Sequence, residues 1–302
     1  MRDDQKGILA LIISCTVWGL SPLYYVQLRH VPALEVLSYR CLWSLAFFSL
    51  VLLIQGRLRE VPRALAVPRQ ALVILAAAVT ISANWFGFIY AVGTGQGLEA
   101  SLGYYIFPLV AVLLGQLFFA ERLSRLQWAA IVLAALGVAV LTLGLGVAPW
   151  IALSLAATFG MYGLIKKKIA LGPVLSVNCE VLLLAPLACA WIAVMGTGAG
   201  GGNSWQTHGL LALSGPLTAM PLVLFSYAAR RIRLATVGLV QYLNPTLQFA
   251  CAVMVLSEVV TIWHIYTFPI IWAALTIYSV AALRQDRAAR KAAAIAGTSS
   301  AT

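Results

Sequence analysis

The sequence predicts an all-α integral membrane protein with ten transmembrane helices, arranged as two inverted five-helix repeats. Three observations predict it: an apolar composition with few charges, basic residues confined to alternate connections, and a motif that occurs twice.

Of the 302 residues, 62% are apolar and 10% are charged, and the mean hydropathy is +0.94. A soluble domain of this size carries about 25% charged residues, so this chain lacks the polar surface to cover a globule in water. The net charge of +11 would suit nucleic acid if it formed a face. Instead the Lys and Arg residues sit in short clusters between long apolar runs, which points to a lipid bilayer and not to a nucleic-acid partner.

A spanning helix needs about 20 predominantly apolar residues. Ten windows qualify, at 7–26, 34–55, 70–92, 99–120, 126–145, 148–165, 174–195, 209–229, 235–257 and 262–283. The first has spanning length, Asp3 and Asp4 dilute its basic flank, and no small-x-small cleavage site follows it. It therefore reads as a transmembrane helix, not as a signal peptide. Apart from Arg29 and Arg40, every one of the 20 Lys and Arg residues lies at the N-terminus, at the 2–3, 4–5, 6–7 and 8–9 connections, or in the tail. Ten spans with both termini in the cytoplasm place all of these on the inner side. The Ala- and Ser-rich segment after Arg284 is expected to be a frayed helix end followed by disorder. The predicted division is a first repeat over 1–146, a second over 147–284 and a disordered cytoplasmic tail over 285–302.

The duplicated motif is Tyr105-x-x-Pro108 with Glu121 thirteen residues later, matched by Tyr242-x-x-Pro245 with Glu258 thirteen residues later, an offset of 137. Five spans per half is an odd number, so the second half enters the membrane from the opposite side. Inverted repeats of this kind build many secondary transporters.

Taken in order, span 1 carries Ser14, Thr16 and Trp18, and its Trp18-Gly19-Leu20 lines up with Tyr162-Gly163-Leu164 of span 6. Span 2 carries Arg40 and span 7 carries Glu180, the two ionisable residues well inside spans. Such residues are costly in a bilayer and mark functional candidates. Arg40 can snorkel to the outer interface or face a cavity. Glu180 can make a structural hydrogen bond, meet a substrate amine or carry protons. With Arg40 and Glu180 in opposite leaflets, a direct pair between them requires helix tilt or an intervening water. Span 3 supplies Asn84 and Trp85, facing either a cavity or a neighbouring helix.

Pro108 and Pro245 interrupt spans 4 and 9 near mid-membrane and are the hinge candidates, since proline removes one N–H and frees the carbonyl four residues earlier. Tyr104, Tyr105, Gln241, Tyr242 and Asn244 cluster just before them. Polar aromatic residues beside kinks suggest a substrate cavity, or else interhelical hydrogen bonding. Glu121 and Glu258 close their spans and read as gate or structural carboxylates, each needing a basic partner or a capping role. Small residues of span 5, Ala130, Ala134 and Gly137, permit close helix contact, either within the chain or between subunits.

Several chemistries have no support. There is no G-x-x-x-x-G-K-[ST] loop, no G-x-S-x-G elbow and no H-E-x-x-H pair. His30, His208 and His264 lie at span edges and read as interfacial. Cys15, Cys41, Cys179, Cys189 and Cys251 show no metal spacing and are expected to be buried free thiols. No catalytic residue, metal or cofactor is expected, and the oligomeric state is open.

These residues carry a resemblance. Val17-Trp18-Gly19, Val31-Pro32-Ala33-Leu34-Glu35 leading to Arg40, and Asn84-Trp85 resemble the drug/metabolite transporter superfamily, in its EamA-type ten-helix branch and its RarD-like members. So do Leu98 to Tyr104 leading to Pro108, Glu121-Arg122, and Arg233 to Thr236 leading into Gln241-Tyr242 and Pro245-Thr246. Phe107 before Pro108 departs from the family pattern, which often has Asn there. Asn244 supplies that amide in the second half. The resemblance implies inverted repeats around a central cavity and movement of a small-molecule metabolite or drug across the bacterial inner membrane. From the residues, the main expectation is a secondary transporter working by alternating access, with proton coupling a role for Glu180. The alternatives are an intramembrane enzyme, which would need a nucleophile–base pair or metal cluster within the spans, and a non-transporting scaffold.

Overall fold

Every one of the ten windows carries helix in the computed structural model, which describes residues 3–119, 123–146, 148–195, 205–232 and 234–299. The elements are α1 (Asp3–Gly19), α2 (Ser21–Tyr25), α3 (Ala33–Ile54), α4 (Glu60–Leu65), α5 (Pro68–Gly93), α6 (Gly97–Phe119) and α7 (Arg125–Leu145). They continue with α8 (Trp150–Lys166), α9 (Pro173–Met195), α10 (Trp205–Ala229), α11 (Leu234–Gln241), α12 (Leu243–Ala250) and α13 (Ile262–Ser299). Among the described residues no strand occurs, and eight helical segments are long and apolar enough to cross a membrane.

The other two windows are shorter or broken. Helix α8 has 17 residues. The window at 235–257 divides into α11, α12 and a π-helical turn over Cys251–Val255. The break falls at Tyr242, three residues before Pro245, where the missing proline N–H leaves the Gln241 carbonyl without its helical donor. Pro108 acts differently, since α6 runs through it without interruption.

Span 1 breaks as well, between Gly19 and Ser21, because Pro22 stands in the first turn of α2. Pro22 offers no N–H to the Trp18 carbonyl, and the Ser21 hydroxyl donates to that carbonyl at 2.6 Å instead. Freed backbone groups inside a bilayer need such a replacement. The two breaks touch: a Cβ on Gly19 would lie 2.6 Å from Cβ of Leu247 and 3.1 Å from the Asn244 carbonyl oxygen. Only glycine fits there.

Packing follows from the small and apolar faces. Helix α6 lies along α8, α1 along α10 and α12, α5 along α8, α3 along α9, and α7 along α13. The small-residue face of α7 is used inside the chain: Ala130 and Ala134 pack with Phe268, Ile271 and Ala274 of α13. Thr267 adds a hydrogen bond to the Gly137 carbonyl at 3.2 Å. Large apolar side chains point outward instead, among them Leu53, Leu143, Leu187 and Val194, as a lipid-facing surface requires.

Two expectations change, and one element is new. Cys189 is exposed, whereas the other four thiols are buried; its position on the outer face of α9 suits an apolar thiol in contact with lipid. The segment after Arg284, expected to lose order, continues α13 as far as Ser299. The short helix α4 in the 2–3 connection was not anticipated, because six residues carry little periodic signal. Its Val61 and Ala64 pack against Ile74, Leu175 and Cys179.

Candidate functional site

Arg40 sits on the inner face of α3 and is 7% exposed, so the side chain turns into the bundle and does not snorkel outward. Its Nη1 donates to the Tyr25 hydroxyl at 2.8 Å, and the guanidinium lies 4.2 Å above the Trp85 ring. From Tyr25 a series of aromatic contacts crosses the interior. Tyr25 meets Phe88 at 5.7 Å, Phe88 meets Tyr104 at 5.8 Å, and Tyr104 meets Phe159 at 5.9 Å. Phe159 then stacks on Tyr162 at 6.3 Å. These spacings are those of ordinary edge-to-face and offset aromatic pairs.

The series ends on Glu180 of α9, which is 1% exposed. Its Oε2 accepts from the Tyr162 hydroxyl at 3.0 Å, and its Oε1 accepts from Lys166 at 2.6 Å and from the Ser176 hydroxyl at 2.9 Å. Lys166 also donates to the Ser176 hydroxyl. A buried carboxylate is tolerable only when so paired and hydrogen-bonded. Glu180 therefore pairs with Lys166, not with Arg40. Lys166 is the residue that counting charges by connection assigns to the 6–7 loop; it occupies the last turn of α8 and reaches inward.

Asn84 fixes the middle of the series. Its Oδ1 accepts from the Tyr104 hydroxyl at 3.0 Å, and its Nδ2 donates to the Leu155 carbonyl at 2.9 Å and to Thr158 Oγ1 at 3.0 Å. One amide thus joins α5, α6 and α8. Asn84 faces a helix, the second of the two orientations open to it from sequence.

The remaining sequence-predicted residues lie elsewhere. Tyr105 and Tyr242, the two copies of the repeated tyrosine, line a groove of about 510 Å³ together with Thr246, Trp272 and Ser279. The Tyr105 hydroxyl is 2.8 Å from Thr246 Oγ1. Gln241 ends α11, and Asn244 accepts from Gln248 at 3.0 Å beside the break. Trp18 packs on Phe225 of α10 at 6.0 Å. Glu121 lies outside the described residues.

Glu258 has a capping role on another helix. Its carboxylate accepts from the backbone N–H of Gly97 at 2.7 Å and of Leu98 at 2.8 Å, the start of α6. Those amides have no acceptor within their own helix, and a negative charge there complements the helix dipole. Residue 97 must stay small, since a Cβ would lie 2.8 Å from Glu258 Oε1. Ser257, with φ of 54°, is the one described non-glycine residue with positive φ, and it turns the chain so that Glu258 reaches α6. Glu99 lies in a similar place, its carboxyl beside the backbone of Ile151 and Ala152 at the start of α8.

The EamA-like transporter family matches residues 5–143. The helical bundle, its outward apolar surface and this match define the class: a multi-pass bacterial membrane transporter of the drug/metabolite type. An uncharacterized transporter of Vibrio cholerae is 41% identical over 294 residues, covering 96% of this chain and 97% of that one. Protein RarD of Salmonella typhi is 39% identical over 289 residues, covering 95% and 98%. The chloramphenicol-sensitive protein RarD of Pseudomonas aeruginosa is 27% identical over 303 residues, covering 96% and 99%. A crystal structure sharing 17% identity superposes with a TM-score of 0.60 over 90% of this chain and 96% of that one, a likeness of fold. The chain belongs to the drug/metabolite transporter superfamily, as a RarD-like member.

Proposed function

We propose that the protein is a secondary transporter of the bacterial inner membrane, moving a small organic solute by alternating access. In this reading the ten helical windows are ten spans, divided into inverted repeats over 1–146 and 147–284, with the N-terminus and the 285–302 tail in the cytoplasm. The helix contacts support the exchange of halves. Helix α6 packs on α8 as α1 packs on α12, α5 packs on α8 as α1 packs on α10, and α3–α9 and α7–α13 exchange with themselves.

The observation that carries the reading is the aromatic series from Arg40 to Glu180, placed where helices of both halves meet. It gives a solute apolar ring surface through the interior, with a charged group at each end. Span 2 enters from outside and span 7 from inside, so Arg40 lies toward the outer side and Glu180 toward the cytoplasm. The Lys166–Glu180 pair supports a role in proton coupling: protonating Glu180 would remove its attraction for Lys166 and free that end of the path to rearrange.

The test is uptake into proteoliposomes, with and without an imposed proton gradient. A gradient-driven uptake that Glu180→Gln abolishes is the expected result. Undiminished uptake by that variant at a fixed gradient excludes Glu180 as the proton carrier, and failure to move any solute excludes transport.

A further inference from the structure

Arg40 is a buried cation without a buried anion. The ion pairs among the described residues are Lys6–Asp3, Arg57–Glu60 and Lys166–Glu180, and Arg40 is in none of them. Nη1 is used by Tyr25, and the Trp85 ring covers one face of the guanidinium. Nε is buried and has no hydrogen-bond partner. One turn further along the same face of α3 stands Ser44, fully buried, whose hydroxyl also has no partner. Residues four apart on a helix are neighbours, about 5–6 Å between Cβ atoms. Two buried groups without partners thus belong to residues one turn apart on one helix, one of them cationic. A buried polar group without a partner is destabilising, and a buried charge without a counter-ion more so. Cation–π contact with Trp85 offsets part of that cost, and it leaves the buried Nε without an acceptor.

We propose that this site takes the carboxylate of an aromatic or otherwise apolar monocarboxylic acid. The carboxylate accepts from Nε of Arg40 and from the Ser44 hydroxyl, and the apolar body lies against the rings of Tyr25, Phe88 and Tyr104. Three features select this class. A guanidinium edge matches the planar geometry of a carboxylate. One unpaired charge calls for a monoanion. The walls beyond it are aromatic, so the rest of the solute is apolar and compact.

The proposal rests on the transporter reading and names the solute class for the same interior path. The experiment compares benzoate, benzamide and benzylamine, which share a ring and differ in charge, for thermal stabilisation of the purified full-length protein. Benzoate should bind at least tenfold more tightly than the other two. Arg40→Gln should erase that preference, and Cys189→Ala, on the lipid face, should keep it. Should Arg40→Gln fail to fold, Ser44→Ala serves, with an expected several-fold loss for benzoate alone. Equal binding of the three probes, no binding of benzoate, or a preference that survives both Arg40→Gln and Ser44→Ala overturns the assignment. Uptake of radiolabelled benzoate into proteoliposomes separates the two readings. Arg40-dependent binding without uptake refutes transport and leaves the site standing. Uptake of neutral or cationic solutes in preference to benzoate refutes the site and leaves transport standing.

Discussion

Glu258→Ala removes the acceptor that holds the start of α6. In the native protein the carboxylate takes two backbone N–H bonds, at 2.7 and 2.8 Å. A hydrogen bond to a charged group contributes about 1.5–3 kcal/mol. Both bonds here share one half-buried carboxylate at a helix end, where solvent weakens each, so the whole cap is assigned about 1.5–3 kcal/mol. That corresponds to about 10–150-fold in the opening equilibrium of those amides. Hydrogen exchange on the protein in nanodiscs reads this directly, because Gly97 and Leu98 have no acceptor within α6 and owe their protection to Glu258. Exchange at these two amides should accelerate by that factor in Glu258→Ala, while the interior of α3 exchanges as before. Unchanged exchange at Gly97 and Leu98 would refute the cap. Acceleration spread evenly over every helix would show general loosening and refute a local role.

Lys166→Met leaves the Glu180 carboxylate buried without its cation and should lower stability by about 3 kcal/mol, seen as a fall in Tm. Adding Glu180→Gln to that variant should recover most of the loss. Asn84→Leu strands the Tyr104 hydroxyl and unties α5 from α8; interhelical polar contacts in membranes are typically about 1 kcal/mol each, so thermal unfolding should show a loss of about 1–2 kcal/mol. Gly19→Ala drives a methyl group against the Leu247 Cβ and should cost about 1–3 kcal/mol as overpacking, measured the same way; Leu247→Ala, which keeps that Cβ, should not restore stability as a second change.

Much of the bundle was legible because its signals are long. Apolar runs of spanning length mark helices whatever they pack against, and counting basic residues by connection takes no account of side-chain direction. The same indifference to direction hid Lys166. Its position at the end of a span is that of a loop charge, and nothing in the run Lys166-Lys167-Lys168 marks one member as turning inward. The aromatic series was half legible. Tyr104, Tyr162, Trp85 and Glu180 stand out as polar or amphipathic groups in apolar spans, whereas Phe88 and Phe159 look like any lipid-facing phenylalanine. When both faces of a helix are apolar, periodicity cannot separate interior from exterior. The repeated tyrosines, Tyr105 and Tyr242, line the groove beside Trp272 and not the Arg40–Glu180 path. Sequence distance explains the remaining gap, since Glu258 could be recognised as needing a partner while the partner lay in another helix.

That separation has a consequence for how the protein is made. The cap on Gly97 comes from a residue 161 positions later in the chain. At about 5–20 residues per second, the start of α6 exists for roughly ten to thirty seconds before Glu258 has been synthesised. During that interval its amides must be satisfied by water or lipid headgroups at the membrane surface. Helix α6 therefore settles into its final depth late, only after the second half has been translated and inserted. A ribosome stalled before residue 258 would leave the first half in the membrane with that helix end still unanchored.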